Sequence, residues 1–196
     1  MIPGVFIIES LDFKDEEKKL FEGKFIKNIL EMLDIDVKYF YIRTKAELKL
    51  MVEKFEESDY KYLHLSCHGN EEEVVTTLDE HIPYKELSDM FEYSGGNTRV
   101  FLSSCSALNG NFAESGLYES KFLSITGPLN DINFSDSVVF WTSFYHLMFR
   151  SGSKKMDNIH FRTVLEQLSD TFDQEICTLM RAGEKYKRYE YSPEIA

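Results

Sequence analysis

The sequence is poor in the features that staple, anchor or string out a chain. Its 196 residues hold three cysteines, Cys67, Cys105 and Cys177, an odd and widely spaced set that does not read as a disulfide framework. Four prolines and ten glycines are scattered, with no tract rich in either, so no linker, repeat or low-complexity segment divides the chain. No stretch approaches the roughly 20 apolar residues that cross a bilayer. The opening MIPGVFIIES has no basic stretch and too short an apolar run for a signal peptide. The expectation is a reduced, soluble, cytoplasmic protein, and at this length a single domain, 1–196, with a core of its own.

Positive charge is the other scarcity. Lys and Arg number 22 against 34 Asp and Glu, a net charge of −12. So acidic a chain lacks the basic patch of a nucleic-acid binder and has no attraction to an anionic membrane surface. A basic peptide remains an eligible partner.

What is present is an alternation of strand and helix patterns. Val5–Glu9, Val37–Ile42, Tyr62–Cys67, Thr98–Ser104 and Phe122–Thr126 read as strands, the last stopped by Gly127-Pro128. Between them, residues 14–33 repeat apolar residues at helical spacing. Thr44 with Glu47 forms a capping-box pattern ahead of a helix from 45 to about 57. Residues 71–82 favour a short β-excursion, and Pro83 opens a helix to about Phe91. Gly95-Gly96-Asn97 is a loop. Ser135 or Asp136 caps an aromatic helix (Phe140, Trp141, Phe144, Tyr145, Phe149) that ends near Gly152, and a further helix spans about 156–180. The tail after about residue 183 is either a last strand or loose. This order predicts an α/β fold with a mostly parallel central sheet of five to six strands and helices on both faces. The strands near 62 and 98, apolar throughout, belong at its centre.

Two segments carry chemistry. YLHLSCHGN (62–70) runs apolar until His68-Gly69, and RVFLSSCSA (99–107) until Cys105. Neighbouring parallel strands ending in this way bring an imidazole and a thiol to one rim, where such sheets bind and react. An imidazole that takes the thiol proton leaves the reactive thiolate. Gly69 permits a sharp turn and close approach of a substrate. The small residues Ser103, Ser104 and Ser106, with Asn109-Gly110-Asn111 behind them, leave room for a peptide beside the sulfur. Strand alternation points Cys67 away from His68 and into the core.

A metal set of His64, Cys67, His68 and Cys105 is the chemical alternative. Its spacing matches no common zinc pattern, and alternation scatters the ligands, so no metal and no cofactor is expected. Cys177, His146 and His160 fall in helical patterns, and His81 in a turn-like stretch without an evident partner. Glu86 is a formal candidate for the catalytic glutamate of a TIR-like NADase.

The order of these motifs resembles the caspase-like (clan CD) cysteine peptidases, most closely the bacterial CHAT branch. YLHLSCHGN resembles the family's H-x-x-x-H-G strand end and VFLSSCSA its nucleophile strand. Residues 122–153, with the Phe144-Tyr145 pair, resemble the strand, loop and helix that follow. His68 and Cys105 lie closer in sequence than the roughly 50 residues typical of caspases, whose cysteine signature is also missing.

The resemblance implies a caspase-like three-layer α/β/α sandwich. It implies a His68 general base, a Cys105 nucleophile and an oxyanion held by the backbone N–H groups of Gly69 and Cys105. The substrate would be a protein, met in a pocket to which the loop 127–136 contributes Asp131, while Asp136 reads as a helix cap. It also implies a regulated effector of bacterial defence or cell death, acting with a separate activating protein. A catalytically silent adaptor of the same fold is the other reading.

Overall fold

The computed structural model describes residues 2–91, 97–108 and 122–193. Gly95-Gly96 and Asn109-Gly110-Asn111 lie outside the described residues. Strand β1 (Ile2–Ser10) is followed by helices α1 (Phe13–Glu17) and α2 (Glu22–Met32), β2 (Val37–Tyr41) and α3 (Lys45–Glu56). Next come β3 (Tyr60–Gly69), β4 (Glu73–Val75), β5 (His81–Pro83) and α4 (Tyr84–Asp89). After β6 (Arg99–Ser103) and β7 (Ser124–Pro128) the chain forms α5 (Phe134–Phe149), α6 (Asn158–Phe172), β8 (Ile176–Ala182) and β9 (Lys185–Tyr191).

Among the described residues the main sheet has seven strands, in the order β2-β1-β3-β6-β7-β8-β9. β2, β1, β3, β6 and β7 are mutually parallel, and β8 and β9 close one side as an antiparallel pair. The β4–β5 hairpin grows from the end of β3. The expected β-excursion is therefore present, and β3 and β6 are central and adjacent. The sheet exceeds the predicted five to six strands because the C-terminal hairpin adds two.

Alternation along the strands sorts side chains to two cores. Leu63 and Leu65 of β3 with Val100 and Leu102 of β6 pack under α3 and α4, and Cys67 joins them. On the other face Tyr62 and Phe101 pack against α2, α5 and α6. The Phe101 ring meets Trp141, Phe144, Tyr145 and Phe161 at centroid distances of 5.2–6.2 Å, so the aromatic run of α5 is core. The Thr44–Glu47 capping box opens α3 as its sequence indicates.

Four expectations are corrected. The helix over 14–33 is two helices. Lys19, at φ 60, lets Lys19 N–H donate to Glu16 O and Leu20 N–H to Asp15 O, a left-handed closure that needs no glycine. The helix over 156–180 ends at Phe172, where Asp173 at φ 51 supplies the same closure. Ile176–Ala182 is then strand β8, so Cys177 sits in the sheet. β7 runs through Gly127-Pro128 instead of stopping there: a Cβ at 127 would fall 2.8 Å from Leu102 O, so glycine lets β6 and β7 close up. The residue capping α5 is Asn133, and Asp136 lies in the first turn, accepting from Asn133 Nδ2 at 3.3 Å.

The exposed Lys19 holds a conformation that costs a side chain more than it costs glycine. Lys19→Gly should raise stability by about 0.5 kcal/mol, after allowing for the entropy glycine adds to the unfolded chain, whereas Lys19→Val should lower it. Urea unfolding of the two variants checks the sign.

Candidate active site at the strand rim

Parallel strands β1, β2, β3, β6 and β7 bring their C-terminal ends to one rim. The last β3–β6 partners are Ser66 and Ser103. Two residues further along each chain come His68 and Cys105, which by strand alternation belong to the α2/α5 face. The backbone then diverges. β3 continues into the hairpin, pairing His68 with Val75, while β6 breaks into a turn in which Ser106 takes φ 51.

That turn is stitched to the loop after β7. Ser106 N–H donates to Asn130 O at 3.2 Å and Leu108 N–H to Pro128 O at 3.2 Å. Ser106 Oγ donates to Asp131 Oδ1 at 2.9 Å, and Cys105 Sγ to Ile132 O at 3.6 Å. Asp131 is exposed and held beside the thiol. The Cys105 N–H has no hydrogen-bond partner among the described residues.

His68 is half exposed, and its Nε2 lies 2.9 Å from Asp15 Oδ2. No hydrogen bond joins His68 to Cys105 among the described residues. The two expected site residues thus share a rim with no hydrogen bond between them among the described residues, and Asp15, which the sequence places in the helix over 14–33 without singling it out, is the imidazole's actual partner. A groove of about 380 Å³ runs beside His68, walled by Asp12, Phe13 and Lys14 on one side and Val75, Leu78 and Asp79 on the other. The larger groove, about 930 Å³, is lined from α3 and α4 and includes neither His68 nor Cys105.

Gly69 has a packing reason to be glycine. A Cβ there would lie 2.3 Å from Ser104 Oγ and 2.5 Å from Glu73 O. On this face Cys67 packs against the core, and burial, reinforced by the charge of Glu22, pushes its thiol up to about 12. Cys177 is wholly buried, and burial raises its thiol to about 11. Both are held as thiols at neutral pH.

Beneath the rim lies a buried polar network that sequence reading missed. Glu22, at the start of α2, is 1% exposed. Its Oε1 lies 3.0 Å from His64 Nε2, and its Oε2 accepts from Ser103 Oγ at 3.0 Å and from Ser137 Oγ. His64 Nδ1 meets the Tyr145 hydroxyl at 3.1 Å. Close by, Glu9 accepts from Gly23 N–H at 2.9 Å and Tyr39 OH at 2.7 Å. Burial raises its carboxyl from 4.5 to about 7, against the pull of those two donors. The His-x-x-x-His spacing marked His64 as notable, but nothing near Glu22 in sequence separates it from its exposed acidic neighbours.

The metal set of His64, Cys67, His68 and Cys105 does not come together, since His64 is committed to Glu22 and Tyr145. Ligand-type atoms of Asp12, Asp15 and His68 fall within 4.8 Å of one another. Asp12 already caps α1, however, and Asp15 already binds His68, so we assign no metal there. His81, expected to lack a partner, lies 2.7 Å from Glu73 Oε1, and that contact raises its pKa. Glu86 pairs with Lys45. His146 and His160 are exposed on α5 and α6. No helix among the described residues is long and apolar enough to cross a membrane.

Two variants test the network. Glu22→Ala strands His64, Ser103 and Ser137 and should cost about 3 kcal/mol in urea unfolding. Glu9 binds a proton more tightly folded than unfolded, so its stabilising effect is complete below pH 4.5 and fades as pH rises through about 7. The stability of wild type relative to Glu9→Gln should therefore fall by about 3 kcal/mol between pH 4 and pH 8, and pH-resolved unfolding of both proteins measures that difference.

No protein-family model and no curated protein sequence matches this chain.

Proposed function

We propose that the chain is a cysteine endopeptidase of the caspase-like, CHAT type, with His68 as general base and Cys105 as nucleophile. The observation that supports this reading is the β3–β6 register, which ends at the Ser66–Ser103 pair and leaves an imidazole and a thiol two residues further along the two chains, at the rim of a parallel sheet. His68 would take the Cys105 thiol proton, and the thiolate would attack the scissile carbonyl. The imidazolium would return the proton to the leaving amine, giving an acyl-enzyme that water hydrolyses. The Cys105 N–H, unpartnered among the described residues, and that of Gly69 would face the oxyanion. Asp131, tethered to Ser106 next to the thiol, would favour a basic substrate side chain by charge pairing. The caspase-like sandwich, the cytoplasmic setting, the separate activating protein and the role in bacterial defence or cell death belong to the same proposal, carried by the sequence resemblance.

The silent-adaptor reading draws on a different observation: Cys105 Sγ bonds to Ile132 O and His68 to Asp15, so neither bonds to the other. Iodoacetamide labelling, located by mass spectrometry, separates the two readings without a substrate. A working dyad should label Cys105 selectively at pH 7, leave Cys67 and Cys177 nearly unmodified, and lose roughly tenfold or more of the Cys105 rate in His68→Ala. A Cys105 rate indifferent to His68 selects the adaptor. Once a substrate is in hand, Cys105→Ala should abolish cleavage without unfolding the protein.

A further inference from the structure

We infer that Asp15 is a positioning residue for His68: its carboxylate fixes the imidazole proton on Nε2 and so leaves the basic lone pair on Nδ1. The inference rests on the dyad reading and adds a third member that the sequence resemblance does not supply. An ionised carboxylate only accepts, so the ring atom 2.9 Å from Asp15 Oδ2 must be the one bearing hydrogen. In a neutral imidazole the other nitrogen is then the acceptor. When Nδ1 takes a proton from the thiol, the new cation already faces an anion.

The scaffold gives Asp15 a fixed place. α1 has only five residues, but both its ends are tied. Asp12 accepts from the Asp15 N–H at 2.7 Å, and Leu20 N–H donates to Asp15 O at 2.9 Å. The neighbouring Glu16 pairs with Arg43, whose backbone N–H is held in turn by Glu47 of the α3 capping box. On the far side of His68, Thr77 N–H donates to Ser10 Oγ at 3.0 Å, and Ser10 Oγ donates to Ile42 O at 3.0 Å, anchoring the other wall of the groove. The Asp15 side chain is 19% exposed against 47% for His68, so the carboxylate is the more sheltered partner. Among the described residues, the other charged groups lining the groove beside the imidazole are Asp12 and Lys14 from the α1 side and Asp79 from the β4–β5 turn. None of them has a hydrogen bond to it.

A double-mutant cycle on the Cys105 alkylation rate of the full chain tests this, with iodoacetamide as probe. Asp15→Asn removes the charge and keeps the shape. The rate at pH 7 should fall roughly fivefold, the loss expected of a partly exposed charge pair, and the pH–rate profile should move toward higher pH. In the His68→Ala background the same substitution should change nothing. A rate lowered by His68→Ala but untouched by Asp15→Asn would overturn the role of Asp15 and leave the dyad standing. An equal Asp15→Asn effect in both backgrounds would overturn it too, because Asp15 would then act without His68. A rate that ignores His68 altogether would remove the dyad itself. Nitrogen NMR of neutral His68 gives an independent reading: a proton on Nε2 supports the assignment, and one on Nδ1 overturns it.

Discussion

The buried Glu22 carboxylate is the interaction on which the rim depends. It collects His64 from β3, Ser103 from β6 and Ser137 from α5, three elements brought together only when the chain has folded around them. Taking a carboxylate out of water costs several kcal/mol unless its lone pairs are filled, and here the filling groups are the ones that set the geometry above. Ser103 is the last residue of β6, two before Cys105. His64 lies four residues, or two alternations, before His68 on the same strand. Ser137 lies in the first turn of α5, directly after the loop that holds Ser106 and Cys105. The same carboxylate therefore fixes the spacing of both strand ends and of the loop that flanks them.

Glu9 gives the arrangement a second acid and a pH-dependent weakness. It accepts the backbone N–H of Gly23, the residue after Glu22, so two carboxylates flank the first turn of α2. The charge of Glu22 adds to the cost of ionising Glu9, behind the larger effect of burial. The protein tolerates this because Gly23 has no side chain to fill the approach: a Cβ there would fall 2.7 Å from the Tyr39 ring and 2.9 Å from Ile7. Splitting the expected long helix at Lys19 aims this turn at the sheet.

What the sequence made legible was whatever repeats or is punctuated. Apolar runs gave β1, β2, β3 and β6, the Thr44–Glu47 pair gave α3, and aromatic spacing gave the core face of α5. His68 and Cys105 were legible because each ends an apolar run. The failures have one physical origin: the chain reverses at residues whose composition carries no turn signal. Lys19 and Asp173 take left-handed conformations usually left to glycine, so α2 and β8 were read as continuations of the helices before them. Gly127-Pro128 erred in the opposite sense, a turn signal used for close strand packing. Glu22 and Asp15 were hidden for another reason. Both partners are distant in sequence, and an acid among acids shows nothing of what it will meet.

The separation of His68 from Cys105 then has a structural meaning. Each is bonded to a group within its own neighbourhood, His68 to the tied-down α1 and Cys105 to the β7–α5 loop. The backbone positions are set by strands buried on both faces, so joining the pair requires the side chains and the Cys105 turn to move, not the sheet. The weaker of the two existing bonds is the 3.6 Å contact from the thiol to Ile132 O, since a thiol is a poor donor. The charge-assisted contact of His68 with Asp15 is the stronger. Closure by movement of the cysteine would keep the imidazole oriented throughout, whereas closure by the histidine would break the one interaction that orients it. A protein segment binding in the loop that carries Asp131 and Ile132 would act directly on the weaker contact. Under the peptidase proposal, substrate or activator would therefore complete the site from the thiol side.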